Sequence, residues 1–175
     1  FFKSVRYNSF NWSSYRDNEW AYSDVKSMRI TYEDGHEIDL TPELSFIQPD
    51  DGNPDDRTVL QAPLTEPVEP GSKVTVAIEW EAKVPRAFAR TGAIGDYYFV
   101  AQWFPKIGVF EADGTWSSHQ FIQTEFYADY GNYDVSMTVP TGWVVGATGL
   151  ERAQQENGDG TTTHRYHQED VHDFV

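Results

Sequence analysis

Cysteine is absent from this chain, which excludes disulfides, thiolate metal sites and cysteine nucleophiles. That absence leaves the compartment open, with an extracytoplasmic (periplasmic or secreted) location the favoured reading. Apolar runs are short as well. None approaches the roughly 20 residues that a membrane span requires, and the opening Phe1-Phe2-Lys3 carries no signal-peptide pattern. An opening without Met suggests a processed product or a piece of a longer protein. Basic side chains are few, 13 against 28 acidic ones, for a formal charge of -15. Phosphate backbones are bound through Lys and Arg, so nucleic acid and anionic membrane surfaces are poor partners for a chain this acidic. The charge reads as an ordinary acidic surface in preference to adaptation to high salt, where screening over about 3 Å at 1 M would relieve self-repulsion.

A fourth absence concerns helices. No stretch of ten or more residues repeats apolar side chains at i, i+3, i+4 and i+7 with a cap, and no internal repeat of fixed period is visible. The 175 residues fit a single domain with one sizeable core. What is abundant is aromatic: 6 Trp, 10 Tyr and 11 Phe, each able to bury on the order of 150–250 Å². They concentrate in Tyr97 to Trp116, YYFVAQWFPKIGVFEADGTW, where a lone Gln sits in an apolar run beside a Trp-Phe-Pro corner.

Strand signals recur along the chain. Phe1 to Tyr22 reads as an irregular or edge segment laid over a hydrophobic surface. From Val25, Met28, Ile30 and Tyr32 alternate with Ser27, Arg29 and Thr31, and after an Asp34-Gly35 turn Ile38 and Leu40 resume the alternation. Gln48 to Arg57 reads as a solvated acidic loop; Asp50, Asp51, Asp55 and Asp56 are clustered like calcium ligands, but their spacing matches no EF-hand. Thr58 to Leu64 is a short strand. In Lys73 to Pro85, Val74, Val76, Ile78, Trp80, Ala82 and Val84 share the core face. A flexible Gly92–Gly95 stretch precedes a strand with Tyr97, Phe99, Ala101 and Trp103 towards the core and Tyr98, Val100 and Gln102 opposite, ended by Phe104-Pro105. Ile107–Phe110 pairs across Asp113-Gly114 with Trp116, and Gln120–Asp129 forms another strand. Gly131-Asn132 turns into Tyr133–Pro140, with Tyr133, Val135, Met137 and Val139 on one face. Pro140-Thr141-Gly142 leads into Trp143–Thr148, and Asn157–Gly160 is a hairpin turn before Thr161–Gln168. The expected fold is all-β, saddle-like or sandwich-like, with mostly antiparallel sheets and no long helices.

Catalytic signatures are missing: no His-Glu-x-x-His helix, Gly-x-Ser-x-Gly elbow, Gly-x-Gly-x-x-Gly turn or phosphate loop occurs. His164 and His167 fall on opposite faces of a strand, so with His172 they read as polar edge-strand residues, and His36 and His119 add nothing convergent. No metal or cofactor is expected in this chain. Gln102 is either paired inside the fold or presented for recognition, since an unpaired buried amide costs about 1–3 kcal/mol.

The run Gln102-Trp103-Phe104-Pro105-Lys106, then Glu125–Val135, Val139-Pro140 and Val144–Gly149, resembles the N-terminal domain of aminopeptidase N-type (gluzincin) zinc metallopeptidases, in particular the bacterial branch reading Gln-Trp-aromatic-Pro at this place. Asp170–Phe174 resembles the segment where that domain passes the chain to the catalytic domain. The resemblance implies that residues 1–175 are one non-catalytic, saddle-like β domain packed on a thermolysin-like catalytic domain, which would follow residue 175 and hold the zinc. It also implies that Gln102, with Trp103 and Glu125 beside it, helps to bind the free N-terminus of a peptide substrate. The alternative is a free-standing β-sandwich binding module for carbohydrate or protein, with Trp103, Trp116 and Trp143 as stacking platforms; core or interface packing is the simpler role for those rings.

Overall fold

A computed structural model describes residues 17–19, 21–86, 91–120 and 127–175. Most of the expected N-terminal aromatic segment, and residues 121–126 of the expected strand at Gln120–Asp129, lie outside the described residues.

The described chain is all-β. Its strands are β1 (Tyr22–Tyr32), β2 (Glu37–Asp39), β3 (Ser45–Ile47), β4 (Val59–Gln61), β5 (Val74–Lys83), β6 (Gly92–Ile94), β7 (Tyr97–Phe99), β8 (Val109–Phe110), β9 (Trp116–Ser117), β10 (Gly131–Pro140), β11 (Leu150–Glu156) and β12 (Thr161–Val171). Two three-stranded sheets, β2-β1-β5 and β10-β12-β11, carry the long strands; of the two-stranded pairs, β3-β4 is inserted between β2 and β5, and β6-β7 and β8-β9 lie between the two sheets in sequence. Every strand pairing among these is antiparallel. Among the described residues, helix is confined to single 3-10 turns at Asp17–Glu19 and Thr41–Glu43.

Alternation sets the registers. In the first sheet Val76 lies opposite Ile30 and Ile78 opposite Met28, so the apolar side chains of β1 and β5 share a face, and Ile30 is almost fully buried. Val25 and Met28 are three residues apart and would point to opposite faces of a regular strand. A bulge between Val25 and Ser27 inserts one residue, bringing Val25 opposite Trp80 on the same face as Met28. On β10 the half-buried Tyr133, Val135, Met137 and Val139 alternate with exposed residues.

Asp is the recurrent turn maker. At Asp34, Asp39, Asp56, Asp113 and Asp159 a carboxylate oxygen accepts from the backbone N–H two residues on, the Asx-turn geometry that short acidic side chains favour. The hydroxyls of Thr41, Thr115 and Thr161, and then these backbone bonds, hold the Asp39, Asp113 and Asp159 carboxyls below the usual carboxylate range.

Several sequence expectations need correction. Gly92–Ile94 is not a flexible stretch but strand β6, paired with β7. Tyr97 and Phe99 do not face the core: they are 68% and 45% exposed, because the strand stops at Phe99 and the alternation expected to continue to Trp103 is broken. Ala82 is exposed, since the alternation of β5 lapses after Trp80. Residues 127–130 are not strand, and 143–147 are irregular, the next strand being β11. Nor is the acidic loop merely solvated: Asp56 is buried and bonds Thr58, while buried Gln120 accepts from the Asp50 and Asp51 N–H groups and donates to Asp51.

Histidines 164 and 167 do fall on opposite faces, but of the central strand of a sheet, not an edge. His164 is buried against Glu151, with 2.7 Å between Nδ1 and Oε1, and its Nε2 is enclosed without a partner among the described residues. His167 lies opposite Asp134, 2.7 Å from Nδ1 to Oδ1, with Glu169 3.5 Å from Nε2.

Packing makes Gly149 obligatory. Its φ is +88°, and a Cβ there would lie 2.4 Å from the His167 carbonyl oxygen. Gly149→Ala is expected to lose about 2–4 kcal/mol from left-handed strain and overpacking, whereas Gly146→Ala, with open space around it, is near neutral; chemical denaturation of the two variants checks this. The Asp134 hydrogen bond, and then the Asp134 and Glu169 charges, raise the His167 pKa above its ordinary 6.5. A raised folded value means stabilisation that is complete below the unfolded pKa and disappears as pH rises through the folded one. The melting temperature should therefore contain a component that declines above about pH 6.5, and His167→Gln should remove that component.

Candidate functional site

The stretch around Gln102 is built from a failed strand. After β7 leaves the ladder, the Thr91 hydroxyl takes over the pairing, accepting from the Ala101 N–H at 3.1 Å and donating to the Ala101 carbonyl, and Ala101 is buried. Gln102 then adopts φ +54°, a left-handed conformation that long side chains rarely hold without compensation. The compensation is tertiary. Gln102 Nε2 donates to Asp173 Oδ2 at 2.7 Å, across 71 residues of chain.

Four consecutive residues of the C-terminal segment are gripped by the Gln-Trp-Phe-Pro-Lys motif and its surroundings. Lys106 Nζ donates to the His172 carbonyl at 3.3 Å and pairs with Asp173 Oδ1 at 3.0 Å; the two side chains are only 18% and 11% exposed. Trp103 Nε1 donates to the Phe174 carbonyl at 3.0 Å. Thr148 and Val175 exchange main-chain and hydroxyl bonds, Thr148 N–H to Val175 O at 2.8 Å and Val175 N–H to Thr148 Oγ1 at 3.0 Å. Phe174 is the most completely buried large side chain among the described residues.

Aromatic contacts connect this grip to both large sheets. Trp80 on β5 meets Trp103 at 6.0 Å, Trp103 meets Phe104 edge-on at 5.1 Å, Phe104 meets Tyr133 on β10 at 5.9 Å, and Tyr133 stacks on Phe174 at 6.2 Å. Lys106 adds its ammonium over the Phe104 ring, 5.5 Å from the centroid. Burial, and then the Asp173 charge, push the Tyr133 phenol above its ordinary pKa.

Asp173 decides how Gln102 presents itself. An ionised carboxylate only accepts, so the amide group facing it is the NH₂, and the orientation of the side chain follows from chemistry. The other amide atom, Oε1, makes no hydrogen bond among the described residues and is not among the buried unpaired atoms. Among the described residues, Gln102 thus has a paired donor and an unpaired acceptor. Trp103 lies next to it but is spent on packing and on Phe174, and Glu125 lies outside the described residues.

The three tryptophans considered as stacking platforms have separate aromatic partners. Trp103 is held between rings, Trp116 is 56% exposed against Phe110 on the β8–β9 hairpin, and Trp143 meets Tyr98 on β7 at 5.4 Å. Ile94, Tyr97, Tyr98 and Phe99 of the β6–β7 hairpin are all exposed, as are Trp143 and Val144, so this end of the molecule is strongly apolar. No group of three or more His, Asp or Glu that could hold a metal ion occurs among the described residues. Comparison with family models, with characterised proteins and with solved structures finds no match.

The C-terminal segment was visible in the sequence only through the resemblance; no pattern in Asp173 or Phe174 themselves announces burial. Gln120, also buried, gave no signal either, because its partners are backbone and carboxylate groups of Asp50 and Asp51, 69 and 70 residues away. Trp103→Phe would leave the Phe174 carbonyl without its indole donor. The expected loss is about 1–2 kcal/mol, accompanied by faster hydrogen exchange at the Phe174 and Val175 amides and unchanged exchange in β1 and β5.

Proposed function

We propose that this chain is the non-catalytic N-terminal β domain of a zinc aminopeptidase-like protein, packing on a catalytic domain and contributing Gln102 to the binding of a substrate's free N-terminus. One observation carries the reading: the Gln102 amide is turned by Asp173 so that its carbonyl oxygen is the atom left without a partner among the described residues. An α-ammonium has three N–H donors and no acceptor, and an amide carbonyl matches it. The left-handed backbone at Gln102 supports a functional role, since strain at a non-Gly residue persists where surrounding structure imposes it and concentrates in binding sites.

Two further observations fit. His172, Asp173 and Phe174, within the segment Asp170–Phe174 that the resemblance sets at the junction with the catalytic domain, lie against the same motif that bears Gln102. The exposed aromatics of β6–β7, with Trp143 and Val144, offer an apolar surface of the kind that packs against another domain.

The proposal is tested in the protein that joins this chain to its catalytic domain. Gln102→Ala should raise KM for aminoacyl anilides roughly tenfold while leaving kcat nearly unchanged, the pattern of a lost uniform binding contact worth about 1.5 kcal/mol. The 175-residue chain alone should neither hydrolyse such substrates nor bind stoichiometric zinc. Hydrolysis by the chain alone that survives chelation would overturn the reading.

A further inference from the structure

The geometry points to Asp173 as the positioning residue of the amine site: it fixes the rotamer of Gln102 and so decides that the site accepts an ammonium and not an anion. The inference rests on the reading of Gln102 as an amine contact and adds to it the residue on which that contact depends.

A free glutamine amide offers a donor and an acceptor about equally, and a half-turn about its last side-chain bond exchanges them. Beside Asp173 this freedom is lost. The carboxylate accepts from Nε2 at 2.7 Å, and the flipped amide would set Oε1 against Oδ2, acceptor against acceptor. Asp173 is itself held. Oδ1 takes the Phe174 N–H at 2.9 Å and the Lys106 ammonium at 3.0 Å, leaving Oδ2 for Gln102. Burial of Phe174 fixes the backbone beneath all three bonds.

Lys106 has a second consequence. By neutralising Asp173 it keeps that carboxylate from capturing any cation, so at Gln102 the ligand meets the directed dipole of a carbonyl. Selection then falls on a group that donates hydrogen bonds, as a primary ammonium does, and against carboxylates and other pure acceptors.

A double-mutant cycle in the catalytic-domain-linked protein tests this, with KM and kcat measured on an aminoacyl anilide and folding followed by thermal melting. Asp173→Asn offers Gln102 both a donor and an acceptor, so the amide is no longer held one way, and KM should rise about three- to tenfold with kcat retained. If Asp173 acts through Gln102, the Gln102→Ala/Asp173→Asn double variant should match Gln102→Ala alone, and Asp173→Glu, which keeps an acceptor-only group, should restore much of the loss. Additive effects, or an unchanged KM in Asp173→Asn, overturn the positioning role while leaving the Gln102 reading intact. An unchanged KM in Gln102→Ala overturns the amine reading itself. Should Asp173→Asn melt before it can be assayed, the wild-type chain decides: its nitrogen-15 spectra must show an ordered Gln102 side-chain amide with one bonded proton, and a freely rotating amide there overturns the inference.

Discussion

Burial of Phe174 is the constraint on which the rest depends. Its ring stacks on Tyr133 of one sheet, and its carbonyl is held by Trp103, whose own ring lies on Trp80 of the other. Each aromatic pair contributes about 0.5–1.5 kcal/mol beyond the area it buries, so the series from Trp80 to Phe174 is a substantial part of what joins the two sheets. Because the ring can be buried only if the polar backbone around it is satisfied, the same event recruits Lys106, Thr148 and Asp173.

The candidate site is a by-product of that satisfaction. Asp173 is brought to the motif by its neighbour's burial, and Gln102 answers it from a backbone conformation that a strand would not permit. Had β7 continued to Trp103, Gln102 would point away from the face of Trp103, and the two side chains could not both reach the same tetrapeptide. The left-handed residue lets adjacent side chains converge. It also releases Tyr97–Phe99 from the core and leaves them on the exposed β6–β7 hairpin.

What the sequence made legible follows from range. The hairpins at Asp34-Gly35, Asp113-Gly114 and Asn157–Gly160 were readable because an Asx turn and a positive-φ glycine are decided within four residues. The faces of β5 and β10 were readable because alternation is a property of the strand itself. The β1 bulge was half legible: the apolar spacing from Val25 to Met28 is odd for a strand, and pairing with β5 resolves it. Gln102 was singled out as a lone polar side chain in an apolar run, but whether it was paired was undecidable from spacing. The fold pairs its Nε2 with Asp173 and gives Oε1 no partner among the described residues.

By itself, then, the chain's composition and local pattern determined an all-β protein with its turns and most strand faces, because those depend on interactions a few residues long. Tertiary structure alone decided that β12 is a central strand that buries His164, that Gln120 ties down the acidic loop, and that Asp173 meets Gln102. Each of these is a contact between groups far apart in the chain. No local periodicity encodes them, and they exist only once burial has set the partners side by side.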